Sequence, residues 1–298
     1  MSTLRELKTR IGSVSSSEKI TGAMKMISSA KVHKNEQALR RLLPFKDQIR
    51  SIMGHLLSAD ASYSSPLIEP RGVDRIALVV YGSDDGLCGA YNINIFKFLL
   101  RRVNELRESF PTGVEITLVP VGRKLRAACE KLNVSGIKVE SFAGVDSKMG
   151  GEKVNEFTLE LQKDFLSGRF DRVEVIYMSF KSMSGQVLTS EQLFPVTEAA
   201  IGAEENKQER KDENRLYIFE PDPNRIFNEV LPMFVLSTMQ EITIENRASE
   251  QAARVMAMQS ANDNAKKLLD DLNLEYNKLR QQSITTELLD IIGGQVER

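Results

Sequence analysis

The sequence predicts an α/β protein: a long antiparallel coiled coil of N- and C-terminal helices, with an open Rossmann-like α/β domain between them. The first observation behind this is that no Pro or Gly occurs from Met233 to Ile292, although the 298-residue chain holds 18 Gly and 9 Pro. Sixty helical residues would span about 90 Å, well beyond an ordinary domain. The second is that the middle of the chain alternates β-branched apolar runs with helical patterns, which is typical of a parallel sheet.

The C-terminal helix carries a stripe with the period of a coiled coil. Its members are Ile244, Ala248, Ala252, Val255, Met258, Asn262, Ala265, Leu269, Leu272, Tyr276 and Leu279. The mean spacing is 3.5 residues, which predicts a left-handed supercoil. Asn262 is the one strongly polar member, and a lone buried Asn fixes the register of a coiled coil.

The N-terminal helix has a similar stripe, and we expect it to be the partner. Its members are Leu4, Leu7, Ile11, Val14, Ile20, Met24 and Ile27, with a break at Ser17. Residues 1–57 contain eleven Lys and Arg against four acids, whereas residues 225–298 contain eight against eleven, so the charges suit an antiparallel pair. Thr3 and Glu6 fit a capping box at the helix start. Pro44 should kink the helix.

Many seam and flanking positions hold Ala, Ser, Met or Asn, as in "ITGAMKMISSAK" and "AARVMAMQSANDNA". Small residues make a thin, smooth rod, and Met adapts to changing neighbours. From composition alone, a tight helix–helix crossing with Met as filler is the favoured interpretation.

The central segment predicts strands at 75–83, 114–122 and 172–180, with a further edge strand within 185–196. Helices are predicted at 93–109, 123–132 and 152–166, and a polar loop at 199–215. Asp222 is expected to cap the second long helix, with Pro223 in its first turn. The predicted domains are therefore the helix 1–57, the α/β domain 58–215 and the helix 216–298.

A turn with Gly82, Asp84, Gly86 and Gly89 follows the first strand and precedes a helix, where a phosphate loop would lie. Its spacing fits neither the dinucleotide fingerprint nor the P-loop. Asp84 and Asp85 would repel a phosphate at a helix N-terminus. The turn therefore favours glycines that shape the backbone and acids that cap the helix over a nucleotide site.

Other function classes find little support. A net charge of −1 indicates neither nucleic acid nor membrane as a partner, and no apolar run approaches the length of a membrane span. Cys88 and Cys129 are too few for a disulfide framework or a zinc site, and the N-terminus has no apolar signal core. The two His residues, His33 and His55, lie on the first helix without a nucleophile pattern. We expect no catalytic residues, cofactor or metal on this chain.

Five segments together resemble the gamma subunit of the F-type rotary ATP synthase. They are "ITGAMKMISSAK" (20–31), "GSDDGLCGAYN" (82–92), "FEPDP" (219–223), "ENRASEQAARVMAMQSANDNA" (245–265) and "LEYNKLRQQSITTELLDIIGG" (274–294). The likeness is dense over about the first 45 and last 80 residues, with a central anchor at 82–92.

This resemblance implies that the terminal helices form a central shaft within a ring of three alpha and three beta subunits, one shaft per ring. The α/β domain would rest on the membrane rotor ring beside the epsilon subunit. Rotation would couple proton (or sodium) flow to conformational change in the beta subunits. The location implied is the cytoplasmic face of the bacterial inner membrane, without insertion into it.

Position by position, the resemblance implies beta-subunit contacts at Met24, Lys25, Arg254, Gln281, Thr285 and Glu287. Leu288 to Ile292 match an apolar tip at the upper bearing. Tyr217 and Glu220 match the region that meets the rotor ring and epsilon. Each of these side chains could instead serve packing within the coil.

Three features depart from the family pattern: Asp85 stands where a basic residue is usual, the polar loop at 199–215 is longer than expected, and the paired cysteines of the chloroplast type are missing. A passive coiled-coil scaffold with an α/β domain stays open as the alternative function. A nucleotide-dependent enzyme is disfavoured by the acidic turn.

Overall fold

The computed structural model describes residues 3–58, 63–110, 113–132, 134–201 and 219–296. In chain order, the elements are α1 (Leu4–Ser58), β1 (Arg75–Tyr81), α2 (Tyr91–Ser109), β2 (Glu115–Val121), α3 (Arg123–Cys129), β3 (Ile137–Val139), α4 (Gly151–Leu166), β4 (Arg172–Phe180), β5 (Gln186–Phe194), α5 (Glu198–Ile201) and α6 (Pro223–Val296). The predicted class, with long terminal helices and an α/β domain between them, is confirmed.

Two compact units divide the chain. The helical unit contains Met1–Ala30 and Arg254–Arg298, and the α/β unit contains Lys31–Ala253. The predicted domains followed element type, whereas these units follow packing. Long stretches of α1 and α6 belong to the α/β unit because their apolar side chains, such as Met53 and Phe227, are buried in its core.

The sheet has the strand order β3-β2-β1-β4-β5. β1 pairs in parallel with β2 and β4, β2 pairs in parallel with β3, and β5 joins antiparallel at the edge. The three long strands and the edge strand were all predicted. β3 was not, because its three residues, two half-buried and one an exposed Lys, form no apolar run.

Side chains of the central strands alternate between two apolar cores, one on each face of the sheet. In β1, Ala77, Val79 and Tyr81 enter the first core, with parts of α1, α4 and α6. Ile76, Leu78 and Val80 enter the second core, with α2 and α3. Because both faces are covered, these strands read as continuous apolar runs.

Glu174 is one of the charged residues buried within this arrangement. The carboxylate of Glu174 on β4 is 2% exposed. It accepts bonds from Nε and Nη2 of Arg102 at 2.9 and 3.0 Å, and Nη2 of Arg172 lies 2.7 Å away. The two guanidinium groups offset the cost of burying the carboxylate, as buried charges require.

Both long helices begin at the caps that the sequence predicts. The Thr3 hydroxyl accepts a bond from the Glu6 amide at 3.2 Å, and the Glu6 carboxylate accepts one from the Thr3 amide at 2.8 Å. At the start of α6, the Asp222 carboxylate accepts a bond from the Arg225 amide at 3.0 Å. α1 continues as an α-helix through Pro44, and the kink there stays a prediction.

The helices run antiparallel within the α/β unit. Lys46 of α1 forms an ion pair with Glu241 of α6, while Ser64, beyond the end of α1, donates its amide to Asn224 near the start of α6.

Part of the predicted loop at 199–215 is wrong, because its first residues belong to α5. Ile201 is buried there, and an apolar residue in a core has no place in an exposed loop. Residues 202–215 of that loop lie outside the described residues.

In the helical unit, every member of the predicted C-terminal stripe from Val255 to Leu279 is buried or half-buried. Asn262 is 6% exposed, and its Nδ2 donates to the carbonyl oxygen of Glu18 at 2.6 Å. Gly22 lies beside it, where a Cβ would come within 3.3 Å of that Nδ2. The predicted pairing of the two ends is therefore a direct contact, held by the one polar member of the stripe.

The N-terminal stripe was wrong at two positions. Ile20 is 59% exposed and Ile27 is 57% exposed. A series of buried or half-buried positions with a strict 3.5-residue period holds Leu4, Leu7, Ile11, Val14, Glu18, Thr21, Lys25 and Ser28, and Ser15, Gly22, Met24 and Ser29 beside this series are also half-buried. Beyond Val14 the prediction selected apolar residues, whereas the seam there contains the polar residues Glu18, Thr21, Lys25 and Ser28.

Candidate functional site: partner surfaces and a crevice closed by α6

The turn at 82–92 follows β1 and is shaped by close packing. A Cβ at Gly82 would lie 2.7 Å from the Cβ of Leu125, so this position admits only hydrogen. Gly89 has φ +59° and Leu87 has φ +63°, both in the left-handed region. A Cβ at Gly86 would meet nothing closer than 3.9 Å. Two of the three predicted turn glycines thus have a steric or backbone reason.

Asp84 is a buried structural carboxylate. It is 5% exposed and accepts bonds from the amide and hydroxyl of Ser147 at 3.1 and 2.8 Å. Its Oδ1 also accepts the amide of Arg123 at 2.8 Å, so it caps α3. The sequence predicted that the acids would cap the helix that follows the turn, which is α2. That prediction was wrong, because the turn folds back over the neighbouring β2–α3 connection.

Asp85, the departure from the family pattern, has basic neighbours in this chain. Its Oδ2 lies 2.8 Å from Nζ of Lys148 and its Oδ1 lies 3.6 Å from Nη2 of Arg123. The hydrogen bond to Asp85 raises the pKa of Lys148. The acidic turn is therefore neutralised from within the chain.

The carboxyl ends of β1 and β4 mark the topological switch of the sheet, because the chain leaves these neighbouring strands in opposite directions. In open α/β sheets this crevice is where ligands bind. Here Asn246 of α6 lies in it and is 1% exposed. Its Oδ1 accepts bonds from the Tyr91 hydroxyl at 2.6 Å and the Met178 amide at 3.3 Å, and its Nδ2 donates to the Gly82 carbonyl oxygen at 3.3 Å.

Arg247, the residue after Asn246, holds α6 to the loop that precedes α4. Its Nε donates to the carbonyl oxygen of Ser147 at 2.7 Å, and its Nη2 donates to that of Met149. Desolvation by burial lowers the pKa of this guanidinium. The chain's own side chains thus satisfy the polar groups that a phosphate would otherwise meet. Sequence reasoning missed Asn246 and Arg247; the only signal was their place in the segment 245–265.

A second polar region is a cavity of about 700 Å³ in the α/β unit, lined by α1, β4, β5, α5 and α6. Lys46 pairs there with Glu241, and the Tyr177 hydroxyl donates to Glu191 at 2.8 Å. Burial raises the pKa of Tyr177, and desolvation also raises that of Glu245. Paired charges of this kind are a structural arrangement rather than a catalytic one.

The predicted beta-subunit contacts fall into two groups. Gln281, Thr285 and Glu287 are exposed on α6. Met24 and Lys25 are half-buried in the helical unit, and Arg254 is only 5% exposed. The first group is available to a partner, whereas most of the Arg254 surface is already covered by this chain.

The end of α6 presents an apolar surface to solvent. Leu288, Leu289, Ile291 and Ile292 are 54%, 62%, 63% and 59% exposed. Glu220 is exposed before α6, and Tyr217 lies outside the described residues. Four large apolar side chains exposed within five residues are a typical mark of an interaction surface.

Within the described residues, no helix combines the length and apolar character needed to span a bilayer. The same residues contain no group of three or more His, Cys, Asp or Glu side chains arranged to hold a metal ion.

Comparison with known proteins gives a consistent answer over the whole length. A family model described as ATP synthase matches residues 3–296. The ATP synthase gamma chain of Bacteroides thetaiotaomicron is 39% identical over 302 residues and covers 100% of both chains. This chain belongs to the ATP synthase gamma chain family. The gamma chains of Phocaeicola vulgatus and Psychrobacter cryohalolentis are 41% and 34% identical, and each alignment covers 99% of this chain and at least 98% of the relative.

Solved structures agree with this family in fold. A chain of the Euglena gracilis mitochondrial ATP synthase, in a structure of OSCP, F1 and the c-ring, has a TM-score of 0.63 at 20% identity and covers 98% of this chain and 93% of its own. A chain from the central stalk and c-ring of the Tetrahymena thermophila enzyme has a TM-score of 0.56 at 22% identity and covers 81% and 99%. At these identities the likeness concerns the fold of the gamma chain.

Proposed function

We propose that this chain is the central rotor shaft of an F-type ATP synthase. It couples proton (or sodium) flow through a membrane rotor ring to conformational change in the beta subunits, for ATP synthesis or hydrolysis. The observation that carries the proposal is the end of α6, where nearly every side chain from Gln281 to Ile292 is exposed and the last four large ones are apolar. Membership of the gamma chain family indicates which subunits surround this exposed helix.

The partners are the alpha and beta subunits, three of each around one shaft, the epsilon subunit and the membrane rotor ring. Gln281, Thr285 and Glu287 contact a beta subunit along the exposed helix, and the apolar tip rests in the upper bearing. Met24, Lys25 and Arg254 contact the beta subunits lower on the shaft. The segment that contains Tyr217 and Glu220 contacts the rotor ring and epsilon.

The chain acts mechanically and holds neither catalytic residues nor a cofactor. The acids of the turn at 82–92 are engaged with the chain's own amides and bases, which supports this assignment. The assembled complex lies on the cytoplasmic face of the bacterial inner membrane, and this chain does not enter the bilayer.

Co-assembly tests the proposal against a passive scaffold. The chain is mixed with alpha and beta subunits, the complex is isolated, and ATP hydrolysis is measured. We expect one copy per ring and hydrolysis well above that of alpha and beta alone. Failure to form a complex, under conditions that assemble a gamma chain from a relative, would favour the scaffold.

A second arm tests the contact residues. Gln281→Ala should leave the fold intact, because the side chain is exposed, and should slow hydrolysis by the assembled complex at least twofold. Asn277→Ala, an exposed amide on the same helix, is the matched control. Equal rates for both variants and the unaltered chain would remove Gln281 from the contact surface. Arg254→Ala is a weaker test because loss of a buried side chain also changes stability.

A further inference from the structure

Besides its apolar contacts in the first core, α6 makes polar side-chain bonds to its neighbours from two consecutive turns, all within the α/β unit. Nε2 of Gln240 donates to Oδ1 of Asn155 on α4 at 2.8 Å. The Tyr81 hydroxyl on β1 lies 3.0 Å from Oγ1 of Thr243. Since Thr243 donates its own proton to the carbonyl of Met239, Tyr81 is the donor of that bond. Asn246 then follows at the centre of the crevice.

Asn246 bridges β1 and β4 beyond the end of their pairing. β1 and β4 pair in parallel up to Val80 opposite Ile176, so Gly82 and Met178 lie two positions beyond that last pair. The Gly82 amide donates to the Val121 carbonyl oxygen of β2 at 2.8 Å, which continues the β1–β2 pairing. The side-chain amide of Asn246 connects the two strand ends: it donates to the Gly82 carbonyl oxygen on one side and accepts from the Met178 amide on the other.

The chemistry of this position is specific to a carboxamide. A single side chain that satisfies both the Gly82 carbonyl and the Met178 amide must donate and accept at once, and a buried backbone group left without a partner is costly. A carboxylate of the same shape would lose the donor to Gly82, and an apolar side chain would lose both bonds. The Tyr91 hydroxyl adds a third direction, because it donates to both Oδ1 and the backbone oxygen of Asn246 at 2.6 and 3.2 Å.

We propose that Asn246 is a positioning residue that locks α6 against rotation and sliding in the α/β unit, so that torque passes between this unit and the rest of the helix. The Asn246 side chain bonds to Gly82 at the end of β1, to Met178 of β4 and to Tyr91 of α2. Because these bonds point in three directions, together they resist both rotation and sliding of α6. α6 continues without interruption past residue 253, so an orientation fixed at Asn246 is carried along one helix. This inference rests on the proposed rotor function, since torque exists only in the assembled rotary complex.

The test uses the complete ATP synthase in sealed vesicles and measures protons pumped per ATP hydrolysed. Asn246→Ala should keep ATP hydrolysis within twofold of the unaltered enzyme while lowering the pumped protons per ATP at least twofold. Asn246→Asp, which keeps the shape and one acceptor, should give an intermediate loss. Asn228→Ala is the matched control, because this Asn of α6 bonds to Ser64 and Asn224 and not to the sheet; its ratio should be unchanged.

The coupling ratio separates positioning from folding, because a merely structural role would lower hydrolysis and pumping together through loss of assembled enzyme. A normal ratio in either assembled Asn246 variant would overturn the proposal, and so would failure of both variants to assemble, which would make the residue a folding requirement. Failure of the unaltered chain to assemble would instead count against the rotor function itself.

Discussion

The α/β unit and the helical unit of this chain bury different kinds of side chain. In the α/β unit, two cores cover both faces of the sheet, and rings such as Phe165 and Phe194 are fully buried and stacked with centroids 5.2 Å apart. In the helical unit, the seam between α1 and α6 holds Leu7, Leu272 and a hydrogen-bonded Asn262, while Ile20 and the tip of α6 stay exposed. The first unit thus contains two apolar cores, whereas the second has four large apolar side chains exposed together at the end of α6.

This difference predicts unequal stability along one chain, which hydrogen exchange on the full chain can resolve segment by segment. We expect the amides of β1, β2 and β4 to exchange more slowly than those of α6 beyond Asn262. The substitutions below change one unit at a time, from the largest expected effect to the smallest.

Phe165→Ala should produce the largest loss, because it removes a fully buried ring that stacks on Phe194. Large-to-small changes of this kind cost about 3–5 kcal/mol. Exchange in β4 should accelerate accordingly, with little change in α6 beyond Asn262. Equal acceleration of exchange in both segments would show that the two units unfold together, which would contradict the prediction of unequal stability.

Asn262→Ala should have a moderate effect confined to the helical unit. It removes the bond from Nδ2 to the Glu18 carbonyl, and we expect a loss of about 1–2 kcal/mol for a buried polar contact and its packing. Faster exchange in residues 255–279 is the readout. Asn264→Ala, an exposed amide two residues along, is the control; a similar loss there would remove the special role of Asn262.

Glu245→Gln should raise stability slightly in the α/β unit, with a pH dependence of known sign. Desolvation raises the pKa of Glu245 in the folded chain above its ordinary value of 4.5. The free energy of unfolding therefore includes a favourable contribution from this carboxyl that is complete below pH 4.5 and is lost as the pH rises through the raised pKa. The variant should therefore melt on the order of 1 °C higher near pH 7. This gain should vanish below pH 4.5. Glu229→Gln, at an exposed position of the same helix, should show no gain.

Ile27→Ser should have the smallest effect on the isolated chain, within about 0.5 kcal/mol, because the side chain is 57% exposed. The predicted apolar stripe would have demanded a large loss at this position. Exchange in residues 3–30 measures it. A loss of more than about 1.5 kcal/mol in the free energy of unfolding would indicate that Ile27 packs in the seam after all.

Much of the fold could be predicted because the signals were local. β4 covers the predicted residues 172–180, since buried parallel strands read as unbroken apolar runs. The caps at Thr3 and Asp222 were also visible, because each needs only residues within one turn. The N-terminal stripe was wrong at Ile20 and Ile27 because hydrophobicity does not distinguish a seam position from an exposed apolar residue on the outer face.

The candidate site divides in the same way. Exposure of Gln281, Thr285 and Glu287 agrees with a contact role, and the contacts themselves stay predictions. Asp84 was placed in the right turn but given the wrong helix, since the partner of a capping acid depends on how the turn folds back. Asn246 was not identified at all, because nothing in its local sequence distinguishes it from any polar residue on a long helix.

The sequence by itself determined the two long helices, the principal strands and helices between them, the pairing of the chain ends, and the family. These depend on periodicity, short-range caps and recognisable segments. Only the tertiary structure decided which face of α1 enters the seam, which helix Asp84 caps, and that Asn246 bonds to both Gly82 and Met178. Each of these depends on groups brought together from distant parts of the chain, and a hydrogen bond is defined by the positions of both partners rather than by either residue alone.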